Sequence, residues 1–208
     1  MPNTSVVLLL IVAAACTAKQ PASQSDSTAS PAATATASGA VPVTSTEPPI
    51  APEGNPPGDI PDTQAFVRFS STSGYSIEIP EGWARTGNGA SVTFISNLDG
   101  VRVDVVASPS APMAAGTGTT EARQIQAQGR AVSITSTSDV TLPSGKAVLI
   151  TYESNSEPNP VTQKQVRLTN EAYVMFGNGK RALVTFWAPK GADNADQWNR
   201  MSRSFRWQ

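Results

Sequence analysis

A change in composition near residue 62 limits which part of this chain can form a folded domain. Residues 17–62 contain nine prolines and no aromatic residue, whereas every aromatic residue lies at or after Phe66. A segment rich in Pro, Ala, Ser and Thr cannot bury enough apolar surface to offset the entropy of ordering it. We therefore predict a disordered tether over residues 17–62. We predict one folded domain over residues 63–208, a length that can bury a core without disulfides or metals.

Charge and residue usage exclude several classes of function. The domain carries 14 basic and 11 acidic residues, a balance too weak for a nucleic-acid-binding surface. The chain has no histidine and one cysteine, so an intrachain disulfide, a Ser-His-Asp or Cys-His catalytic arrangement and a histidine-ligated zinc site are excluded. We expect a domain that is not an enzyme and that holds no metal or cofactor.

Residues 6–15 form an unbroken apolar run that ends in three alanines directly before Cys16. Ten residues are too few to span a bilayer as a helix, which takes about 20, but they suit the centre of a secretory signal over residues 1–16. Small residues followed by a cysteine resemble the bacterial lipobox. That resemblance implies cleavage before Cys16 and attachment of lipid to its thiol. The protein would then be anchored in the cell membrane on its extracytoplasmic side.

Two features of this segment leave alternatives open. Ala13 stands where a lipobox usually has leucine, and no Lys or Arg precedes the apolar run. The alternatives are an ordinary secretory signal, or a short buried helix with an incidental cysteine. The buried helix is disfavoured because the predicted tether offers it nothing to pack against.

The domain sequence predicts mostly strands. Apolar and polar residues alternate at residues 75–79, 92–95 and 101–105, with turn residues between them. Further strands are predicted at residues 131–135, 139–142, 147–152, 163–168, 172–176 and 183–187. The Asn-Gly pair at residues 178–179 predicts a tight hairpin. Residues 121–128 predict a short helix that Thr119 or Thr120 caps and Gly129 ends.

A second helix is predicted near the C-terminus. Asn194 and Gln197 have the spacing of a capping box, in which each side chain bonds a free backbone N–H of the first turn. One face of this helix carries the residues Trp198, Met201, Ser202 and Phe205. We expect that face to lie on the sheet.

Two short motifs frame the domain. It opens with the sequence GYSIEIPEGW at residues 74–83 and closes with a helix that ends in MSRSFRW at residues 201–207. With the order of elements between them, these motifs resemble the PsbP-like family, which is related to LpqN-type lipoproteins. The resemblance implies an α+β fold in which helices flank a central antiparallel β-sheet, a PsbP-like α/β/α sandwich used for protein binding. Metal-binding relatives use histidine, so no metal site is carried over.

Four functions are compatible with these features. The first is a tethered module that binds a protein partner in or near the membrane, favoured by the anchor, the tether and the missing catalytic residue types. The others are a small-molecule carrier with a pocket between sheet and helix, an enzyme that uses only Asp, Glu, Ser, Tyr or Lys, and a structural surface protein. The chain has four tryptophans, whose rings could in principle bind a ligand. We interpret all four as core residues: Trp83, Trp187, Trp198 and Trp207. Two pairs of carboxylates could in principle serve acid–base chemistry, Glu78 with Glu81 and Asp193 with Asp196. We interpret the first pair as a strand and a turn residue, and the second as residues at the start of a helix, where negative charge is favourable.

Overall fold

A computed structural model describes residues 47–108 and 116–208 of the chain. Cys16 and the apolar run before it lie outside those residues. The strands are β1 (Phe66–Ser71), β2 (Tyr75–Pro80), β3 (Ala84–Asn88), β4 (Ser91–Ser96), β5 (Asp99–Ala107), β6 (Ser133–Leu142), β7 (Gly145–Asn155), β8 (Arg167–Gly177), β9 (Lys180–Pro189) and β10 (Arg206–Trp207). The helices are α1 (Thr117–Gln128) and α2 (Ala195–Ser204). Neither of these two helices is long and apolar enough to cross a bilayer.

Seven strands form one antiparallel sheet in the order β3-β4-β5-β9-β8-β7-β6. The predicted Asn-Gly hairpin joins β8 to β9, with Gly177 paired to Lys180. Asn178 and Gly179 have φ angles of 50° and 69°, the left-handed conformation that a two-residue hairpin turn requires. This tight connection fixes the register of the two strands at the centre of the sheet.

One face of the seven-stranded sheet, which we call the core face, is closed by packing. Alternate residues of its strands share one core with α2 and the smaller sheet, among them Val101, Val103, Tyr173, Val184 and Phe186. Side chains alternate between the two faces along a strand, so these residues all point the same way. The indole of Trp198 on α2 stacks on the ring of Phe186, with 6.1 Å between the ring centroids.

The smaller sheet has the strand order β1-β2-β10. Its central strand buries the predicted apolar residues Tyr75, Ile77 and Ile79. The ring of Tyr75 stacks on Phe205 directly after α2, with centroids 5.5 Å apart. The predicted face of this C-terminal segment is buried at every position, so the helical spacing correctly identified the residues that pack on the strands.

The opposite face of the large sheet, which we call the open face, is covered only in part. Helix α1 packs through Ala122 on Val148 and Ile150 of β7 and on neighbouring residues of β8. Glu121 at the start of this helix forms an ion pair with Arg181 of β9. These contacts place α1 over the β6–β7–β8 side of the sheet.

Several predicted elements differ from those in the structure. The two strands predicted within residues 131–142 are one strand, β6, and the two predicted within residues 163–176 are one strand, β8. Helix α1 begins four residues earlier than predicted, after Gly116, and no side chain caps it. The predicted capping box at α2 does not form, because Asn194 makes no side-chain capping bond there and donates and accepts hydrogen bonds elsewhere.

Residues 47–62, which we call the strap, pack against the domain although composition assigned them to the tether. Ile60 is only 5% exposed and belongs to the main core. Its backbone N–H donates to Asn194 Oδ1 at 2.6 Å, and Asn194 Nδ2 donates to the carbonyl of Gly58 at 2.8 Å. Glu47 at the other end of the strap accepts hydrogen bonds from Arg130 at 2.5 Å and from Asn155 at 2.7 Å. One buried side chain and these hydrogen bonds offset the cost of ordering a proline-rich segment.

Asp99, at the start of β5, lies buried beside the strap with 6% of its surface exposed. Burial raises the pKa of this carboxyl to about 7; a hydrogen bond from Asn194 opposes the rise and the charge of Asp59 adds to it. The folded-state pKa therefore lies above the value of the unfolded chain. The folded domain binds this proton more tightly, and the stability that Asp99 contributes is lost as pH rises between about 4 and 7.

We predict that Ile60→Ala lowers the free energy of unfolding by about 2–4 kcal/mol, because it removes a buried side chain and leaves a cavity. Urea denaturation of the full chain measures the change. Glu53→Ala, at an exposed position of the same strap, is the control and should change stability by less than about 0.5 kcal/mol. Equal, small effects of both variants would show that the strap does not belong to the folded unit.

We predict that Asp99→Asn flattens the dependence of stability on pH. The wild-type protein should lose stability relative to the variant as pH rises from about 4 to about 7, with a slope of at most about 1.4 kcal/mol per pH unit from this one group. Urea denaturation of both proteins at a series of pH values gives the difference. A constant difference across that range would contradict the raised pKa.

Candidate functional site

A row of directly opposed residues crosses the open face of the seven-stranded sheet. Each residue is the registered partner of the next on the neighbouring strand, and the row reads Ile95, Gly100, Trp187, Asn170 and Tyr152. Because all five occupy equivalent positions of the pleat, their side chains emerge on the same face. Residues far apart in the chain are thereby brought side by side.

Trp187 lies flat on this row because its partner on β5 is a glycine. A Cβ atom built on Gly100 would overlap the six-membered ring of the indole at Cε2, Cζ2 and Cη2. Only glycine leaves room for a ring to cover the backbone this closely. The indole is half-buried, with one face on the sheet and the other available to the space above it.

Residues 156–166, the connection between β7 and β8, form a wall beside this row. Backbone hydrogen bonds join Ser156 to Val166 at 2.9 Å and Asn159 to Lys164 at 2.8 Å. At the tip, Asn159 Oδ1 accepts from the N–H groups of Val161 and Thr162 at 2.9 and 3.0 Å. The connection is therefore held by its own hydrogen bonds although it contains no regular strand.

Two adjoining cavities occupy the space between this wall, the row and the end of α1. Their volumes are about 690 Å³ and about 290 Å³. Both are lined by Tyr152, Asn155, Glu157, Thr185 and Trp187, so we treat them as one site and call it the groove. The larger cavity continues over the apolar side chains of Ile95, Leu98 and Leu168. A concave, mainly apolar site with a few polar groups is the usual form of a ligand-binding site.

The charged side chains at the smaller end of the groove are paired with one another. Arg102 and Asp104 form an ion pair at 2.6 Å, and Arg130 pairs with Glu47 at 2.5 Å. Hydrogen bonding from Asn155, together with the charge of Arg130, lowers the pKa of Glu47. Arg102 and Asp104 stand on the sheet itself, where Arg102 is the registered partner of Thr185, and their opposite charges neutralise each other.

Polar atoms on the floor are free to bind a ligand. Within the described part of the chain, no hydrogen bond engages Trp187 Nε1, Tyr152 Oη or Thr185 Oγ1. The hydroxyl of Tyr152 is protonated at neutral pH and can donate, as in any tyrosine, and burial raises its pKa further, to about 12. Asn170 is already committed, since its Nδ2 donates to Ser154 Oγ at 3.0 Å.

The two carboxylate pairs considered above, Glu78 with Glu81 and Asp193 with Asp196, do not line the groove. The described residues contain no group of three or more acidic, Cys or His side chains that could hold a metal. The carboxylate of Glu78, considered above with Glu81, instead binds Arg68 at 3.1 Å and Arg200 at 3.0 Å. Cys16, the predicted lipid-attachment residue, lies outside the described residues.

The four tryptophans were all predicted to lie in the core, and Trp187 differs from that prediction. Trp198 is buried, and Trp83 and Trp207 are partly buried against the main core. Trp187 follows Phe186 in β9 and therefore points to the opposite face, into the groove. The one-residue offset between them already indicates opposite faces, but the sequence does not show which face α2 and the smaller sheet cover.

Comparison with known proteins finds similarity to solved structures. No protein-family model and no curated protein matches the chain. It is similar to the solution structure of cyanobacterial PsbP from Synechocystis sp. PCC 6803, with 19% identity over 73% of this chain and 99% of that one, at a TM-score of 0.49. A Bacteroides thetaiotaomicron protein shows 13% identity over 68% of this chain and 48% of its own, at a TM-score of 0.42. The Pseudomonas aeruginosa protein of unknown function PA94 shows 13% identity over 64% and 91%, also at 0.42.

We predict that Gly100→Ala displaces the indole of Trp187 from the floor of the groove. The added methyl group cannot share space with the ring, and overpacking of this kind costs about 1–3 kcal/mol. Quenching of tryptophan fluorescence by acrylamide should increase as the ring moves into solvent. Gly54→Ala is the control, since a Cβ there meets nothing within 4 Å. Unchanged quenching and stability in both variants would contradict the contact between the ring and the glycine.

Proposed function

We propose that this chain is a membrane-anchored extracytoplasmic lipoprotein whose domain is a binding module and not an enzyme. Lipid on Cys16 would hold the protein at the cell membrane. The domain would use the groove on the open face of its sheet to bind a protein partner in or near that membrane. We further assign its layers to a PsbP-like α/β/α sandwich, with α1 on the open face and α2 on the core face.

The groove is the observation that carries the binding role. It combines an indole lying flat on the sheet, apolar neighbours such as Ile95 and Leu168, and polar atoms without partners among the described residues. A concave apolar surface with a few polar groups at its edge is typical of an interaction site. The lack of histidine and the paired state of the nearby carboxylates and arginines support a binding role over acid–base catalysis.

A carrier of a small molecule is the second candidate. The observation that favours it is the volume of the larger cavity, about 690 Å³, which lies within the range of sites for small organic ligands. The pocket lies between the sheet and residues 156–166. The sequence had suggested a site between sheet and helix. Ile125 and Gln128 of α1 line the smaller cavity, whereas large side chains such as Phe186 and Phe205 fill the interface between the sheet and α2.

Cross-linking from the groove tests the binding role. We expect a photoreactive benzoylphenylalanine at Thr185 to trap a specific membrane-associated protein in intact cells, whereas the same residue at Glu81, an exposed turn position, should not. Cys16→Ser should move the protein out of the membrane fraction and reduce the cross-link. The proposal fails if Thr185 traps nothing beyond the Glu81 control. Trapping of a small molecule alone would favour the carrier.

A further inference from the structure

The strap is held on the domain by side chains and not by strand pairing. Residues 48–60 make no backbone-to-backbone hydrogen bond with the rest of the described chain. At one end of the strap, Asn194 bonds the backbone of Gly58 and Ile60. At the other end, Asn155 bonds the backbone of residues 48 and 50. Lifting the strap therefore breaks a few side-chain contacts and leaves the strands paired, which makes it a local opening of the domain.

The carboxyl group of Asp99 lies directly under the backbone of the strap. A Cβ atom built on Gly58 would come within 3.0 Å of Asp99 Oδ1 and within 3.3 Å of Oδ2. Asn194 Nδ2 donates both to the carbonyl of Gly58 at 2.8 Å and to Asp99 Oδ1 at 3.3 Å. One side-chain amide thus joins the strap to the carboxyl group that the strap covers.

The charged groups around Asp99 do not neutralise it. None of the ion pairs among the described residues includes Asp99. The strap contributes the carboxylate of Asp59, which accepts from the N–H of Asp193 in the connection before α2 at 2.8 Å. At the end of β9, Lys190 pairs with Glu153 at 2.5 Å. On β4, the registered partner of Asp99 is an uncharged serine. A negative charge on Asp99 therefore has no cationic partner while the strap covers it.

Ionisation of Asp99 is therefore coupled to the position of the strap. While the strap is closed, burial raises the pKa of Asp99 to about 7; the hydrogen bond from Asn194 opposes this rise and the charge of Asp59 adds to it. When the strap lifts, water solvates the carboxylate and its pKa returns towards the ordinary value of about 4. The closed state binds the proton more tightly. A rising pH therefore favours the open state, by up to about tenfold per pH unit between about pH 4 and about pH 7.

We infer that the strap is a pH-dependent clasp, which lies closed over Asp99 in acid and lifts around Gly58 and Ile60 as that carboxyl group ionises. Opening withdraws the side chain of Ile60 from the main core and exposes the pocket that it filled. It also frees the side-chain amide of Asn194 from the strap. The clasp works in this way whatever the groove binds.

The far end of the strap responds to pH in the opposite direction. A hydrogen bond from Asn155 and the charge of Arg130 lower the pKa of Glu47. Glu47 therefore stays ionised as pH rises, and it keeps its bonds to these two residues, both of which line the smaller cavity of the groove. The strap thus opens at the end that Asn194 holds and remains attached beside the groove.

Hydrogen exchange of the Ile60 amide in the full-length protein measures the opening, because this N–H donates to Asn194 while the strap is closed. Its rate, divided by the rate of an unfolded chain at the same pH, should rise by up to about tenfold per pH unit from about pH 4 to about pH 7 and then level off. Asp99→Asn has nearly the same shape and cannot ionise, so it should remove this dependence. Glu53→Gln, at an exposed position of the strap, is the matched control and should behave as the wild type does.

A variant at an exposed position keeps the test valid if Asp99→Asn does not fold. Asp59→Asn retains the acceptor oxygen for the N–H of Asp193 and removes the charge that helps to raise the pKa of Asp99. The corrected rate at Ile60 should then level off at a lower pH than in the wild type. A purely structural effect of this substitution would change the corrected rate by the same factor at every pH, and that result would count against the clasp.

Three results would overturn the clasp. The first is a corrected exchange rate at Ile60 that does not depend on pH in the wild type, and the second is an unchanged dependence in Asp99→Asn. The third is exchange at Ile60 as slow as at Val184, which is buried in the central strand β9, because the strap would then open only when the whole domain unfolds. Faster exchange at Ile60 than at Val184, with a dependence on pH that disappears in Asp99→Asn, supports the clasp.

Discussion

The indole of Trp187 lies on the sheet because its cross-strand partner, Gly100, has no side chain. That contact turns a sheet surface into the flat floor of a groove. Any larger residue at position 100 would lift the ring and fill the space beside it. The groove therefore depends on the register between β5 and β9, and on the hairpins that fix this register. The binding role that we propose depends on the same pairing.

Strand β9 shows how one sheet both stabilises the domain and leaves a site open. Val184 and Phe186 point into the core face, where α2 and the smaller sheet cover them. Thr185 and Trp187 point the other way, and α1 lies over the far side of that face, so these two residues remain in the groove. The core face is packed densely enough to hold the strands in place. The open face can thus carry a half-buried tryptophan that adds little to the core.

Elements with strong local patterns were predictable. The alternation around Ile77 and Val103, the Asn-Gly turn and the spacing of Trp198 and Met201 correctly identified strands, a hairpin and a helix face. Strand β3 was not predicted because all five of its residues are exposed and show no apolar alternation. Strand β10 has only two residues, too few for any pattern.

The strap and the groove were not predictable for a different reason. In the strap, the single buried side chain of Ile60 stands among prolines and polar residues, and its partner Asn194 follows 134 residues later. The groove is built from Ile95, Gly100, Tyr152, Asn170 and Trp187, which no local pattern connects. Both features arise from long-range pairing, which composition and periodicity do not record.

A nuclear magnetic resonance measurement on the full-length protein tests the central contact most directly. If the indole lies face-down on Gly100, its ring current must shift the Gly100 α-proton resonances strongly upfield, and nuclear Overhauser effects must join those protons to the ring protons of Trp187. Trp187→Leu should return the resonances to ordinary values. Gly100 resonances at ordinary values in the wild-type protein, with no Overhauser effect to the indole, would contradict the contact on which the groove and the proposed binding role depend.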